Sequence, residues 1–147
     1  MTISHHYLLA AALLAAAPMA AIATAPDDLP ESAAKLDGKA MAKLSRLVEG
    51  RERGKPVSCI AGNRVRQYSA LSDDLLMYRT HDGTVYLNAP HGGCNGAKHN
   101  AIVSVRPVST ICSGDILTVE DLTVGMTVGS CALGEFIPYR KDIAKGD

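Results

Sequence analysis

Apolar residues recur every three or four positions between residues 36 and 48, which is the period of an α-helix. The apolar positions are Leu36, Ala40, Leu44, Leu47 and Val48, and the opposite face is filled by Lys39, Lys43, Arg46 and Glu49. Gly50 is a suitable helix end, and Gly54 and Pro56 would prevent continuation. The pattern predicts an amphipathic helix over 36–53 that packs its apolar stripe on its own domain. A basic helix lying on a membrane surface is the alternative.

From Pro56 onward, short segments rich in Val, Ile, Leu, Thr and Tyr alternate with Gly, Asn and Asp, as in strands joined by turns. The predicted strands are 57–60, 65–68, the two arms of 75–88, 101–105, 116–119, 126–131 and a segment around Phe136. About six to seven short strands at this spacing predict a mainly β domain, either a small antiparallel barrel or a sandwich. The amphipathic helix precedes it.

The strand pair predicted most clearly is the hairpin over 75–88. Asp82 and Gly83 separate two extended runs, and a two-residue Asp-Gly loop favours a type I′ turn, in which both residues have positive φ. That register would pair Thr80 with Val85. It predicts one apolar face made of Leu76, Tyr78, Val85 and Leu87.

The first 23 residues have the pattern of a secretory signal peptide. Residues 7–17 form an apolar run of eleven, which is too short to span a bilayer, and the A-x-A pattern of residues 21–23 marks a cleavage site after Ala23. The segment before the run contains no Lys or Arg, so a retained membrane anchor is the alternative. We expect a soluble mature protein, periplasmic or secreted, with a flexible linker over 24–35 and a tail over 141–147.

Charge and aromatic content argue against nucleic acid as a partner. The chain has 15 basic and 15 acidic side chains, which leaves no net cationic field. Aromatic residues make up 4% of the sequence and Trp is absent, so a base-stacking platform is not predicted.

Four cysteines, Cys59, Cys94, Cys112 and Cys131, lie far downstream of the predicted signal peptide. In an exported chain an even number of cysteines predicts disulfides, and four cysteines allow three pairings. Cys59 lies on the first predicted strand and Cys131 on one of the last, and such strands adjoin in a closed barrel. The preferred pairing is therefore Cys59 with Cys131 and Cys94 with Cys112.

A metal site is the alternative use of the same region. His91, Cys94, His99 and Cys112 have the spacing H-x2-C-x4-H-x12-C, and imidazole and thiolate are ligands that zinc accepts. The spacing is irregular and exported thiols meet oxidising machinery, so disulfides are favoured. A looser zinc or copper site that uses His81, His91 and His99 is a further alternative.

A third interpretation is enzymatic. Residues 92–96 (GGCNG) match G-x-C-x-G, the cysteine form of a nucleophile elbow, with His91 and His99 as nearby bases. This would make the protein a small thiol-dependent hydrolase centred on Cys94. The elbow requires a strand–turn–helix in a large α/β sheet, so a glycine-rich turn leading into a disulfide is the favoured interpretation.

The acidic residues near the C-terminal strands are predicted to be structural. Asp115 follows Ser113 and Gly114 in a turn, where its carboxylate would accept backbone N–H groups. Glu120 and Asp121 are predicted at a solvated hairpin end. None has a partner at a spacing that suggests acid–base catalysis.

Several motifs together resemble a known family. They are GR and GKPVSCI within 50–60, VYLN at 85–88, GGC at 92–94, ICSGDI at 111–116 and VGSCALGEFIPY at 128–139. The pattern resembles an uncharacterised family of small exported four-cysteine proteins common in sphingomonad-type alphaproteobacteria. The resemblance covers about 47–140 and implies a Gram-negative envelope location and a shared four-cysteine domain over 56–140. It implies no activity and no catalytic residues.

These observations predict an exported, disulfide-stabilised β domain without a cofactor. The leading hypothesis for its function is a non-enzymatic binding or accessory module that recognises a ligand or protein of the envelope. Metal binding and thiol-dependent hydrolysis are the alternatives.

Overall fold

The computed structural model describes residues 28–104 and 109–141. One α-helix, α1 (Gly38–Val48), precedes ten strands, and two short 3₁₀ helices span Glu31–Lys35 and Gly62–Arg64. The strands are β1 (Arg51–Arg53), β2 (Cys59–Ala61), β3 (Val65–Ser72), β4 (Leu75–Thr80), β5 (Val85–Asn88), β6 (Ala101–Ser104), β7 (Thr110–Cys112), β8 (Ile116–Asp121), β9 (Met126–Ala132) and β10 (Phe136–Lys141). The predicted signal peptide and residues 142–147 of the predicted tail lie outside the described residues.

The strands form three antiparallel sheets. The largest has the order β1-β10-β5-β4-β3, and the two smaller sheets are β2-β7 and β6-β8-β9. The mainly β prediction is therefore confirmed, and its sandwich form is the one observed. The large sheet is open, with β1 and β3 at its edges, and the described residues form no closed barrel.

The large sheet is buried on both faces. One face packs against the smaller sheets around a core of Ile60, Leu76, Tyr78, Cys94, Ala97, Leu117, Val119, Cys131, Leu133 and Phe136. The other face packs against α1 around Ala33, Leu44, Val48, Leu71, Leu75, Met77, Val85, Leu87 and Tyr139. Burial on both faces explains why β4 reads as an almost continuous apolar run rather than an alternating one.

The helix is shorter than predicted. Asp37 caps its first turn by accepting a hydrogen bond from the backbone N–H of Ala40 at 2.7 Å, and the helix ends at Val48. Gly50 then adopts φ +64°, and residues 51–53, predicted as helix, pair with β10 as β1. The helical pattern could not show this because pairing with a strand about 90 residues away overrides local propensity.

The predicted linker is partly ordered by the core. Residues 31–35 form a 3₁₀ helix, and the side chain of Ala33 is buried against the face of the sheet that α1 covers. The hydroxyl of Tyr139 also donates a 2.6 Å hydrogen bond to the carbonyl of Asp28. The described residues 28–35 are thus part of the folded domain.

The β4–β5 hairpin exists, but its predicted turn is wrong. The loop has three residues, 81–83, because the backbone N–H of Thr80 donates to the carbonyl of Thr84 at 3.0 Å. Only Gly83 has positive φ, at +82°. Asp82 keeps negative φ, and its carboxylate accepts hydrogen bonds from the Thr80 hydroxyl and the Thr84 N–H. A three-residue loop that ends in a positive-φ glycine is the alternative hairpin geometry.

The longer loop shifts the register by one residue and changes which side chains share a face. The observed pairs are Leu76–Asn88, Met77–Leu87, Tyr78–Tyr86 and Arg79–Val85. Leu76 and Tyr78 therefore face the smaller sheets, whereas Val85 and Leu87 face α1. The predicted single apolar face is wrong for this reason.

None of the helices in the described residues is long and apolar enough to cross a membrane.

Candidate functional site

All four cysteines form disulfides, but the preferred pairing is wrong. Cys59 bonds to Cys112 and Cys94 bonds to Cys131, with Cα–Cα distances of 4.0 and 4.9 Å. Cys59 and Cys112 are directly opposite each other in the β2–β7 pair. The prediction assumed a barrel in which the strand of Cys59 adjoins that of Cys131. Instead, β2 and β9 belong to different sheets.

The predicted metal cluster is not assembled. The sulfur atoms of Cys94 and Cys112 lie in two different disulfides, and the side chains of His91 and His99 are exposed. His81, the third histidine of the looser alternative, is exposed in the β4–β5 loop. Among residues 28–104 and 109–141, no group of three His, Cys, Asp or Glu residues is placed to hold a metal ion.

The GGCNG segment is a structural loop rather than a nucleophile elbow. Cys94 is fully buried and bonded to Cys131, so its sulfur is not a thiolate nucleophile. Asp73 holds the loop: its carbonyl accepts the N–H of Cys94 at 2.6 Å, and its carboxylate accepts the N–H groups of Gly96 and Lys98, each at 3.1 Å. The observed geometry does not support the thiol-hydrolase interpretation.

The acidic residues near the C-terminal strands have structural partners. The carboxylate of Asp115 accepts the N–H of Cys112 at 2.8 Å, as predicted for this turn. Glu120 accepts a hydrogen bond from the Thr127 hydroxyl, and Asp121 accepts the N–H of Thr123 in the β8–β9 loop. Each carboxylate is engaged by its own turn or by a neighbouring strand.

In the described part of the chain, a concave surface that is open to solvent lies between α1 and β3, and we name it the basic groove. Its volume is about 760 Å³, within the range of small-molecule sites. It is lined by Asp37, Lys39, Ala40, Ala42, Lys43, Arg46, Leu47, Ala70, Leu71 and Lys98. The basic groove therefore combines aliphatic side chains with four cationic ones.

The periodicity of α1 explains how the cations come together. Lys39, Lys43 and Arg46 are separated by four and three residues, so they lie along one side of the helix. Ala40 and Leu44 on the adjacent side are buried against the sheet, which fixes the rotation of the helix about its axis. Burial of the apolar stripe thereby places the three cations along the helix side of the basic groove.

The charges in the basic groove are only partly compensated. Lys98 donates a hydrogen bond to the Asp37 carboxylate, and Lys43 donates to the uncharged hydroxyl of Ser69 at 2.7 Å. Within the described residues, Lys39 and Arg46 have no carboxylate within 4.0 Å. The groove therefore carries four positive charges and one negative charge.

Asp37 stays ionised at neutral pH. The hydrogen bond from Lys98 and that from the backbone N–H of Ala40 lower the pKa of this carboxyl group below its usual value. Asp37 therefore neutralises Lys98 and links the start of α1 to the residues that follow the GGCNG segment. Lys39, Lys43 and Arg46 remain as the cations available to a ligand.

Sequence reasoning placed the helix cations on the face opposite the apolar stripe but did not connect them to a site. The sequence did not indicate which residues form the opposite wall of the groove. Ala70 and Leu71 come from β3, and Lys98 comes from the loop that Asp73 holds. No local pattern connects these three segments, because their proximity depends on helix-to-sheet packing.

Comparisons with protein-family models, with curated proteins and with solved structures found no match to this chain. The chemistry of the basic groove is therefore the basis for a functional proposal. It holds cations beside aliphatic surface, and its lining contains no Cys, His, Ser, Thr or Tyr. Such an arrangement suits recognition of an anion that has an apolar part.

Proposed function

We propose that this protein is an exported, non-enzymatic binding module that holds an anionic amphiphile in the basic groove. The ligand class is a molecule with a carboxylate or phosphate head and an aliphatic portion. The observation that carries the proposal is the excess of cations, Lys39, Lys43 and Arg46, beside the aliphatic side chains of Leu47, Ala70 and Leu71.

The two parts of the lining have different roles in this proposal. The aliphatic side chains remove apolar ligand surface from water, which is worth about 25 cal/mol per Å². The cations attract the head group and select against neutral and cationic molecules. Because the groove is open to solvent, its charge interactions are screened, and we expect binding to weaken as salt concentration rises.

Export to the envelope is part of the proposal. Its support is the predicted signal peptide with cleavage after Ala23, together with the two disulfides, which persist mainly in oxidising compartments. The resemblance to small exported proteins of alphaproteobacteria agrees with this location. A periplasmic or secreted protein meets lipids, fatty acids and their phosphorylated derivatives, which belong to the proposed ligand class.

The test uses dodecanoate as the probe, below its micellar concentration, with binding measured by isothermal titration calorimetry. We expect saturable binding of dodecanoate and at least tenfold weaker binding of dodecyltrimethylammonium, which has the same chain and the opposite charge. The double variant Lys39→Glu/Arg46→Glu should weaken dodecanoate binding at least tenfold, because it reverses two of the groove cations. A tenfold loss corresponds to about 1.4 kcal/mol.

The matched control is Lys55→Glu/Arg140→Glu. Lys55 and Arg140 are exposed and lie outside the basic groove, so this variant makes the same change in net charge. It should bind dodecanoate as the unmodified protein does. Equal losses in both double variants would show nonspecific charge attraction, and the absence of binding at millimolar dodecanoate would refute the proposed ligand class.

A further inference from the structure

The three free cations of the basic groove form a row that is longer than a single carboxylate can contact. Lys39, Lys43 and Arg46 are all exposed and lie along one side of α1. Because an α-helix rises about 1.5 Å per residue, the first and last of them are about 10 Å apart along the helix axis. A carboxylate has one charge and two oxygens close together, so it would engage one or two of these cations and leave the rest of the row unpaired.

Lys43, the middle cation, is held by the opposite wall of the basic groove. Its ammonium group donates a 2.7 Å hydrogen bond to the hydroxyl of Ser69 on β3. Lys39 lies about one turn before it on α1, and Arg46 lies about one turn after it. The Ser69 hydroxyl is uncharged, so this hydrogen bond orients the ammonium group without neutralising it. The row therefore has a fixed centre with a cation on each side.

The row carries more charge than a monocarboxylate can neutralise. Within the described residues, none of its three cations has a carboxylate within 4.0 Å. Like charges three or four residues apart on a helix repel each other. A ligand with two or three negative charges would relieve this repulsion along the whole row, whereas a single negative charge would leave most of it in place.

We propose that the ligand of the basic groove is a diphosphate ester of an aliphatic alcohol. This inference rests on the proposed function, because it names the head group of the anionic amphiphile. A phosphate ester carries about 1.5 to 2 negative charges at neutral pH, and the second phosphate of a diphosphate ester increases both the charge and the length of the head group. The planar guanidinium of Arg46 can hold two oxygens of one phosphate, and the two lysines supply point charges to the rest of the head group.

The composition of the groove favours direct contact between the phosphates and the cations. Magnesium ions commonly join substrate phosphates to one or two protein carboxylates. Among the described residues, the lining of the groove offers a single carboxylate, that of Asp37, and Lys98 already donates a hydrogen bond to it. We therefore expect diphosphate binding to be independent of divalent cations.

Isothermal titration calorimetry with three dodecyl probes tests the head group. The probes are dodecyl diphosphate, dodecyl phosphate and dodecanoate, each below its micellar concentration in a buffer with EDTA. Affinity should rise with the charge of the head group, and dodecyl diphosphate should bind at least tenfold more tightly than dodecanoate. Inorganic diphosphate is the fourth probe, and it should bind at least tenfold more weakly than dodecyl diphosphate because it has no apolar surface to bury.

The variant Lys43→Gln removes the centre of the row and keeps its two ends. It should weaken binding of dodecyl diphosphate at least fivefold. Dodecanoate binding should change less than twofold, because Lys39 or Arg46 still supplies a cation for one carboxylate. The matched control is Lys55→Gln, since Lys55 is exposed and lies outside the basic groove, and it should leave both affinities unchanged. Circular dichroism melting of each variant checks that the chain is folded.

Each contrary outcome has a distinct meaning. Equal affinities for dodecyl diphosphate and dodecanoate would overturn this inference and leave the proposed function intact, whereas absence of binding by all three dodecyl probes would refute both. Inorganic diphosphate that binds as tightly as dodecyl diphosphate would identify free diphosphate as the ligand and exclude an amphiphile. Binding that appears only when magnesium replaces EDTA would exclude direct contact. Equal losses in Lys43→Gln and Lys55→Gln would assign the affinity to general charge attraction.

Discussion

Gly134 is buried where the chain enters β10, next to the end of β5. A Cβ atom at this position would overlap the carbonyl oxygen of Ala89, so only glycine allows this approach of the two backbones. The side chain of Asn88 completes the contact: it donates to the Gly134 carbonyl at 2.7 Å and accepts the Gly134 N–H at 3.2 Å. Both residues lie in predicted strand regions, but their roles depend on a contact between segments 46 residues apart.

Gly134→Ala should lower the free energy of unfolding by at least about 2 kcal/mol, because the added methyl group forces a buried backbone apart. Gly38→Ala is the matched control: Gly38 begins α1, and a Cβ there meets no atom within 4 Å. This control should be neutral or stabilising by up to about 1 kcal/mol, since alanine favours helix. Urea denaturation of both variants provides the comparison, and equal stability changes would contradict the role of Gly134.

At the scale of elements, one disulfide joins two short strands near the surface, and the other joins a loop to a strand in the core. Cys59–Cys112 joins two strands of three residues each, and an isolated pair of that length is not stable in water. Cys94–Cys131 ties the GGCNG loop to β9 inside the core between the large sheet and the smaller sheets. Cys59 is exposed and Cys112 is half-buried, whereas Cys94 and Cys131 are both buried.

Replacing Cys94 and Cys131 with alanine should destabilise the protein more than replacing Cys59 and Cys112. The bridges span 37 and 53 residues, so the loop-entropy contribution is about 4 kcal/mol for each. Only the Cys94–Cys131 change also removes atoms from the packed core, which adds a cavity cost. Urea unfolding of the two double variants measures the difference. A larger loss for the Cys59–Cys112 variant would show that the small sheet limits stability.

At the scale of the whole molecule, the two disulfides agree with the proposed export, because disulfides persist mainly in oxidising compartments. Cys59–Cys112 joins β2 to β7, and Cys94–Cys131 joins the GGCNG loop to β9. α1 and the 3₁₀ helix at Glu31–Lys35 cover the face of the large sheet opposite the smaller sheets. The first described residues are held by the hydrogen bond between Tyr139 and Asp28. The folded domain therefore includes residues 28–35 of the segment predicted as linker.

The intact mass of protein purified from the periplasm tests export and disulfide formation together. We expect a chain that begins at Thr24 and is four hydrogen masses lighter than its reduced form, because each of the two disulfides removes two hydrogens. Peptide mapping without reduction should connect Cys59 to Cys112 and Cys94 to Cys131. A retained N-terminus would favour a membrane anchor, and free thiols would contradict the disulfide assignment.

Local patterns in the sequence were sufficient for features that depend on nearby residues. The apolar period predicted a helix because burial of one stripe selects residues three or four apart. Turn residues located most of the strands, and the Ser113-Gly114-Asp115 turn predicted that the Asp115 carboxylate accepts a backbone N–H, which proves to be that of Cys112. The even number of cysteines predicted disulfides. Mainly β architecture followed from the alternation of short apolar runs with turns.

Only the tertiary structure decided features that depend on contacts between distant residues. The observed cysteine pairing differs from the predicted one because β2 adjoins β7 rather than β9. Which strands adjoin is set by the sheet order and not by their positions along the chain. Residues 51–53 became a strand because β10 supplies their hydrogen-bond partners. The basic groove exists because burial of α1 brings its cations beside β3. Local sequence encodes local conformation, whereas sheet order and side-chain proximity arise from packing the whole chain around a shared core.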